Sequence, residues 1–70
     1  MKRYLFTNES GRVVHLIEGE HSAETLALFL HDFGKLFSAT QVHETEVSDG
    51  VWVGWTLDSG TFVAPPPAVD

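Results

Sequence analysis

The chain has 70 residues, no cysteine and a formal net charge of −6 at pH 7. A chain this short forms one domain and buries only about 60% of the surface that its unfolded form exposes. No disulfide can stabilise it, so we expect assembly with other chains to do so. The negative charge argues against nucleic-acid binding, and no apolar run approaches the roughly 20 residues that span a bilayer.

The charges are distributed unevenly along the chain. Lys2, Arg3 and Arg12 lie near the start, where their side chains could anchor to an acidic partner, whereas residues 13–70 carry nine acids against one lysine, a sum of −8. The acids are interpreted as a solvated surface. The basic first three residues are followed by an alternating and then polar segment, so no signal peptide is predicted and the protein is expected in the cytoplasm.

Two strands joined by a turn are predicted at the start of the chain. Residues 4–7 begin a strand, and residues 12–17, which are rich in β-branched and aliphatic side chains, form a second. Between them lies Asn-Glu-Ser-Gly, in which Gly11 can adopt positive φ without steric cost. We therefore expect an antiparallel hairpin. The sequence leaves open its register, and so which face of each strand meets the helix.

One amphipathic helix is predicted over residues 22–37. Ser22 is its expected N-cap, and Glu24 in the first turn suits the helix dipole. Large apolar side chains recur at intervals of three and four, at Leu26, Phe29, Leu30, Phe33, Leu36 and Phe37. Gly34 could end the helix as a C′ residue. The apolar stripe continues beyond it, however, so we expect the helix to reach residue 37.

Two further strands are predicted after the helix. Residues 40–47 form a polar edge strand, on which Glu44 and Glu46 discourage pairing with a stray chain. After a turn at 48–50, residues 51–57 read Val-Trp-Val-Gly-Trp-Thr-Leu and form the strongest strand pattern in the sequence.

A short hairpin and a proline-rich tail are predicted to close the chain. A turn at 58–60 leads to a brief strand at 61–63, and the prolines that follow end regular structure because proline cannot donate to a ladder. We therefore predict an α+β domain over residues 1–64 and a tail at 65–70. In the domain one helix packs against an antiparallel sheet of four to five strands, in the order β-β-α-β-β.

Four residues are the predicted interface, and each has a simpler alternative. Trp55 is assigned to the core, close to Phe62 across the hairpin. If the helix covers the Trp55 face, Trp52 lies on the open face of the sheet, as a docking point for another chain or partly covered by the chain's own termini. The prolines either end the chain or bind an aromatic groove. The predicted interface residues are Trp52, Pro65, Pro66 and Pro67.

Two segments together resemble a set of small bacteriophage proteins. The opening reads Asn-Glu-Ser-Gly and then Val-Val-His-Leu-Ile at 13–17, and the ending reads Val-Gly-Trp-Thr-Leu-Asp-Ser-Gly-Thr-Phe at 53–62, followed by prolines. Phage tail and tail-fibre-associated proteins often end in Gly-Trp, an aromatic residue, Asp-Gly, then Phe and prolines. Here Leu57 stands in place of the aromatic residue, and Ser59 separates the Asp from the Gly, so the turn type could differ.

The resemblance implies a virion or virion-assembly role without catalysis. We expect a tail-associated structural component of a phage virion, assembled in the bacterial cytoplasm with other phage structural proteins and further copies of itself. No nucleic-acid or membrane partner is expected. The alternative is a phage assembly chaperone or an acidic inhibitor that binds a basic protein surface. It is motivated by the −8 over residues 13–70, and its binding should weaken as salt rises.

No pattern in the sequence indicates catalysis, a cofactor or a metal. A catalytic carboxylate pair such as Glu44 and Glu46 would need a cleft and a raised pKa on one member. The serines lack the glycines of a nucleophile elbow. No two histidines have the i, i+4 spacing of a metal-binding pair on a helix. The histidines are His15, His21, His31 and His43. We therefore predict a protein that is not an enzyme.

Overall fold

The computed structural model describes residues 1–66, so Pro67 lies outside the described residues. Within this range the elements are β1 (Lys2–Thr7), β2 (Val13–Glu18), α1 (Ala23–Phe37), β3 (Gln41–Glu46), a 3-10 turn (Val47–Asp49), β4 (Thr56–Asp58) and β5 (Thr61–Val63). The predicted α+β class, with one helix against antiparallel strands, is confirmed. The strands form two antiparallel sheets, one with the order β2-β1-β3 and one that pairs β4 with β5.

The β1–β2 hairpin is closed by the side chain of Asn8. Its carboxamide oxygen accepts hydrogen bonds from the backbone N–H groups of Ser10 at 3.0 Å and Arg12 at 3.1 Å, a local arrangement that asparagine favours in turns. Gly11 follows with a φ of 80°, which glycine adopts without steric cost. The predicted antiparallel hairpin is confirmed, with a register shift near its turn.

β1 is the central strand of the larger sheet and is covered on both faces. Tyr4 and Phe6 belong to a core on the helix side, whereas Leu5 belongs to a core on the opposite side. Leu5 and Phe6 have no exposed surface. Because side chains alternate along a strand, an apolar central strand of this kind needs a cover on each face. The helix supplies one cover and the C-terminal part of the chain supplies the other.

The helix begins and ends where the sequence predicts. The hydroxyl oxygen of Ser22 accepts a hydrogen bond from the N–H of Thr25 at 3.2 Å. The helix passes through Gly34 and ends before Ser38, which has a φ of 62° and donates its N–H to the Gly34 carbonyl. A Cβ at position 34 would lie 3.1 Å from the carbonyl oxygen of Ala39. The glycine therefore lets the chain return closely past the helix towards β3.

The first core lies between α1 and the sheet. The Phe33 ring meets Phe6 edge to face at 4.8 Å, a favourable aromatic geometry. The helical side chains that pack against this core are Leu26, Phe29, Leu30 and Phe33. The prediction that Leu36 shares the covered stripe is wrong, since it is 71% exposed. Its direction is within about 20° of that of Phe29, which packs on the core, so its exposure follows from its place in the last turn of the helix rather than from its side of the helix. Phe37 is also exposed, although its ring stacks on His15 at 5.2 Å.

The second core lies on the other face of the sheet. Its buried members are Leu5, Val13 and Val51, and the side chains packed against them are Leu16, Trp55 and Phe62. Trp55 therefore packs in a core, as predicted, but the face that it covers is not the one that meets the helix. The helix covers the Tyr4 and Phe6 face, because that face of β1 carries the larger aromatic surface and one helix can cover only one face of a sheet.

The strand predicted over residues 51–57 is wrong for residues 51–55, and only residues 56–57 lie in a strand, β4. The N–H of Trp55 donates to the carbonyl of Trp52 at 3.2 Å, and Gly54 in this turn has a φ of 97°. The turn interrupts the alternation of side chains. Val51 is therefore buried while Val53 is 45% exposed, although the strand pattern places the two on one face.

The smaller sheet is bonded to the turn end of the β1–β2 hairpin. The N–H of Leu57 donates to the Gly11 carbonyl at 2.8 Å, and the N–H of Val13 donates to the Trp55 carbonyl at 2.8 Å. A further bond joins the Gly54 N–H to the Val13 carbonyl. The second hairpin thus extends the first one, and this attachment depends on a close approach of the backbone at position 11.

The predicted β4–β5 hairpin forms around a tight turn. Residues 59–60 both have positive φ, 51° and 84°, as in the two-residue turns that match the twist of paired strands. Trp55 and Phe62 both pack against the second core, as expected. The residue directly opposite Phe62 in the hairpin is Leu57, however. The Phe62 ring lies edge-on to the His43 ring, with 5.7 Å between the ring centroids.

Replacing Gly11 with alanine should destabilise the protein more than the same change at Gly60. Both glycines have positive φ, but a Cβ at position 11 would lie 3.0 Å from the Leu57 carbonyl oxygen, whereas nothing lies within 4 Å at position 60. The backbone penalty of about 1 kcal/mol is shared, so the difference reports the attachment of β4. Urea denaturation of both variants measures it. Equal losses would contradict the close approach.

Replacing Phe33 with alanine should cost about 3 kcal/mol of unfolding free energy, the lower end for phenylalanine in a core because the ring is partly exposed. That is a large share of the stability of a domain this small. Leu28→Ala is the matched control on the same helix, since Leu28 is 68% exposed, and it should change the stability by less than about 0.5 kcal/mol. Circular dichroism melts compare the two. Similar losses would show that the helix is not seated on the face described.

Candidate functional site

Trp52 is exposed and yet held in place. Its exposed fraction is 55%, the highest of any aromatic side chain among the described residues. The preceding residue, Val51, is buried in the second core, so the backbone at this point is anchored. The guanidinium carbon of Arg3 lies 5.2 Å from the centroid of the indole ring, within the range of a cation–π contact. One face of the indole is therefore occupied, and much of the rest remains open to solvent.

Arg3 connects the central strand to the segment that carries Trp52. The residue is 6% exposed. One terminal nitrogen donates to the carbonyl oxygen of Val51 at 2.8 Å, and the other donates to the carboxylate of Glu18 at 2.7 Å. A buried guanidinium needs such partners to offset its loss of hydration. The two terminal nitrogens of Arg3 are thus paired, whereas its buried Nε has no hydrogen-bond partner among the described residues. The indole packs on a guanidinium that these two bonds hold in place.

Carboxylates surround this end of the sheet. The ammonium group of Lys2 lies 3.0 Å from Glu44, and the N-terminal amine lies 3.6 Å from Glu46. The hydrogen bond and the charge of Glu44 raise the pKa of Lys2 above its ordinary value, so Lys2 stays charged at neutral pH. The carboxylates at this end are Glu18, Glu20, Glu44, Glu46 and Asp49. They lie on both sides of the sheet: Glu44 contacts Lys2 and Tyr4 on the helix side, whereas Glu18 pairs with Arg3 on the side of Trp52.

We call this surface the Trp52 face, defined by Trp52, Arg3, Glu18 and Asp49. Sequence reasoning found Trp52 but missed the role of Arg3, which it treated as a basic side chain free for an acidic partner. In the structure Lys2 and Arg3 both have carboxylate partners within the chain. Strand alternation could have placed Arg3 on the Leu5 face. Arg3 contacts Glu18 and Val51, which lie 15 and 48 positions away along the chain. No local sequence pattern indicates contacts of this kind.

The predicted interface residues do not form one surface. Pro65 and Pro66 are exposed and line an open groove of about 640 Å³, which also includes Arg12, Thr56 and Leu57. This groove lies where β4 meets the turn of the first hairpin, and Trp52 does not line it. Pro67 is outside the described residues. We call this second surface the proline face, defined by Arg12, Pro65 and Pro66.

Arg12 differs from the other two basic residues near the start of the chain. It is exposed, and no carboxylate of residues 1–66 lies within 4.0 Å of its guanidinium. Its backbone pairs with Thr56 in an isolated bridge, so its position is fixed by the attachment of the smaller sheet. The proline face therefore carries a fixed, accessible positive charge beside apolar rings.

The histidines are used mainly in packing. His15 lies 4.4 Å from the ring of Phe33, His21 packs edge-on to Phe29 at 5.7 Å, and His43 contacts Phe62 in the second core. No group of three or more potential metal ligands comes together in the described part of the chain. Glu44 and Glu46, the candidate carboxylate pair, lie in ion pairs with Lys2 and the N-terminus rather than in a cleft.

In comparisons with known proteins, no protein-family model, curated protein or solved structure matches this chain. Among residues 1–66, no helix is both long and apolar enough to cross a membrane.

Replacing Arg3 with methionine should lower the unfolding free energy by about 1–3 kcal/mol, because the Val51 carbonyl loses its partner. The indole of Trp52 should become more mobile, which fluorescence anisotropy at the edge of the tryptophan absorption band would detect. Lys2→Met is the matched control, since Lys2 pairs with Glu44 on the exposed surface, and its urea midpoint should stay at the wild-type value. Unchanged stability in the Arg3 variant would contradict the network described here.

Proposed function

We propose that this protein is a non-enzymatic structural component of a phage virion, associated with the tail, and that it joins its neighbours through the Trp52 face. The observation that supports docking is an indole that is 55% exposed while a buried arginine holds it from behind. Tryptophan and arginine are the residue types that dominate the energetics of protein interfaces.

The energy available at this site is appropriate for an assembly contact. Covering the open part of one indole contributes about 2–3 kcal/mol, from its area and the usual transfer coefficient. Because Arg3 and the buried Val51 already restrict the ring, little side-chain entropy is lost on docking. A contact of this kind is weak by itself and becomes effective when many copies are arranged in one particle.

The assignment to a phage particle is supported by the resemblance of the opening hairpin and the Gly-Trp…Asp-Ser-Gly-Thr-Phe ending to phage tail-associated proteins. Mass spectrometry of purified particles from a phage that encodes the chain tests the assignment directly. We expect its peptides in a fixed stoichiometry to known tail subunits. Their absence from intact particles would remove the structural role.

Replacing Trp52 with alanine should reduce incorporation into particles while leaving the fold intact, because the indole is largely outside both cores. Leu28→Ala is the control, since it removes an equally exposed apolar side chain from the outer face of the helix and should be incorporated normally. Incorporation is measured by quantitative peptide analysis after complementation of a deletion phage. Equal incorporation of both variants would exclude the Trp52 face as the docking surface.

A second candidate, an assembly chaperone or an acidic inhibitor, is favoured by the carboxylates around the start of β1. Five of them face three cations there, and a basic protein surface would complement this end of the molecule. The particle analysis separates the two candidates, since a chaperone leaves before the particle is complete. A complex that dissociates steeply as salt rises would favour the electrostatic candidate.

A further inference from the structure

We infer that the proline face binds the proline face of a second copy of this chain about a twofold axis, so that Arg12 of each copy pairs with Asp58 of the other. This contact goes beyond the proposed docking of Trp52, because it uses a surface that Trp52 does not line. Its basis is one cation and one anion that share this surface and have no ion-pair partner within residues 1–66.

The proline face is the outer side of the smaller sheet. Arg12 lies directly opposite Thr56, and Thr56 lies directly opposite Val63, so the three side chains point to the same side. Asp58, two residues after Thr56, shares that side, and all four residues are exposed and line the groove. Phe62 points to the other side and packs against the second core. The sheet is therefore covered on one side, whereas its outer side has no cover in the described part of the chain.

Both charges on this outer side are unpaired. No carboxylate of residues 1–66 lies within 4.0 Å of the Arg12 guanidinium, and no cation of that range lies within 4.0 Å of the Asp58 carboxylate. The carboxylate accepts only a long hydrogen bond, 3.4 Å, from the side chain of the adjacent Ser59. A surface that carries one free charge of each sign is complementary to itself, because a second copy presents each charge to its opposite.

One twofold axis pairs both charges at once. Arg12 and Asp58 are one strand and two residues apart, and in an ideal sheet, with about 3.3 Å per residue and 4.8 Å between strands, this separation is roughly 8 Å. An axis that lies in the contact plane and bisects the line between them exchanges the two positions, so each charge lies over the opposite charge of the other copy. Facing sheets pack about 10 Å apart, a gap that an arginine and an aspartate side chain span together. Such a contact closes at two chains.

The same axis brings apolar side chains together. Val63 is level with Arg12 and two strands away from it, which by the same spacings places it within roughly 2 Å of the axis. It therefore meets Val63 of the other copy, and its 49% exposed side chain becomes covered. Pro65 and Pro66 extend this apolar edge, and they have no N–H group that loses hydration when covered. Apolar burial then supplies the affinity and the ion pairs fix the orientation.

The size of the face sets the expected strength. It is built on two three-residue strands and their flanks, near the lower limit of specific interfaces, which bury about 1,200 Å² in total. We therefore expect a dissociation constant on the order of 100 µM. Salt at about 0.15 M screens charges beyond roughly 8 Å, which weakens the general repulsion between two chains of net charge −6 more than the attraction of paired charges in contact.

The test mixes two charge-reversal variants. Arg12→Glu leaves two acids on the face of each copy, and Asp58→Arg leaves two arginines there, so each variant by itself sets like charges against each other. We expect the dissociation constant of each to rise about tenfold or more. In the mixture every charge meets its opposite, and a 1:1 dimer should form with the wild-type affinity. The double variant that carries both changes should also dimerise like the wild type. Sedimentation velocity measures all four samples.

Two further variants are controls. Lys35→Glu changes an exposed residue on the helix and takes the net charge from −6 to −8, as Arg12→Glu does, so it separates the local ion pair from the total charge. It should dimerise nearly as well as the wild type. Trp52→Ala should also leave the dimer unchanged, because Trp52 does not line this groove. Circular dichroism checks that every variant is folded.

Three results would overturn the inference. They are a wild-type chain that stays monomeric at millimolar concentration, an Arg12→Glu variant that dimerises like the wild type, and a mixture of the two reversal variants that stays monomeric where the wild type dimerises. Failure here is distinct from failure of the proposed function, since incorporation of Trp52→Ala into particles tests the other surface and does not depend on the dimer.

Discussion

The hydrogen bond from Arg3 to the carbonyl oxygen of Val51 ties the C-terminal part of the chain to the central strand of the sheet. It places Val51 in the second core and leaves the next side chain, Trp52, outside it. The same guanidinium reaches Glu18 at the end of β2, so strand, hairpin and loop share one buried charge. Because a buried charge without partners is very costly, this network also restricts where residues 51 and 52 can lie.

Two thin cores on either side of one strand explain why so much apolar surface remains exposed. None of the residues of α1 is fully buried, and the second core is covered by a loop and a hairpin of two three-residue strands. A domain of this size has a large surface relative to its volume. Exposed side chains such as Leu36 follow from that ratio alone. Trp52 is different, because a specific polar contact holds it at the surface.

The polar ends of the molecule are also organised by the sheet. Carboxylates collect where β2 and β3 end beside the start of β1. Arg12, which has no carboxylate partner among residues 1–66, lies where the first hairpin turns towards β4. The Trp52 face thus carries an indole and carboxylates, and the proline face carries prolines and a positive charge. Gly54, two residues from Trp52, lines the groove of the proline face.

Local signals in the sequence were sufficient for the elements whose geometry is local. The Asn-Glu-Ser-Gly turn, the Ser22 cap and the spacing of apolar residues predicted the first hairpin and the helix to within a residue or two. The strand predicted from Val51 was wrong, since the turn at Gly54 and the pairing of Leu57 with Gly11 are long-range backbone bonds that alternation does not report. Trp52 was nevertheless identified as exposed, because alternation places it on the opposite face of the predicted strand from Trp55. Its support by Arg3, and its separation from Pro65, arise from contacts between distant parts of the chain, which form only when both faces of β1 are covered.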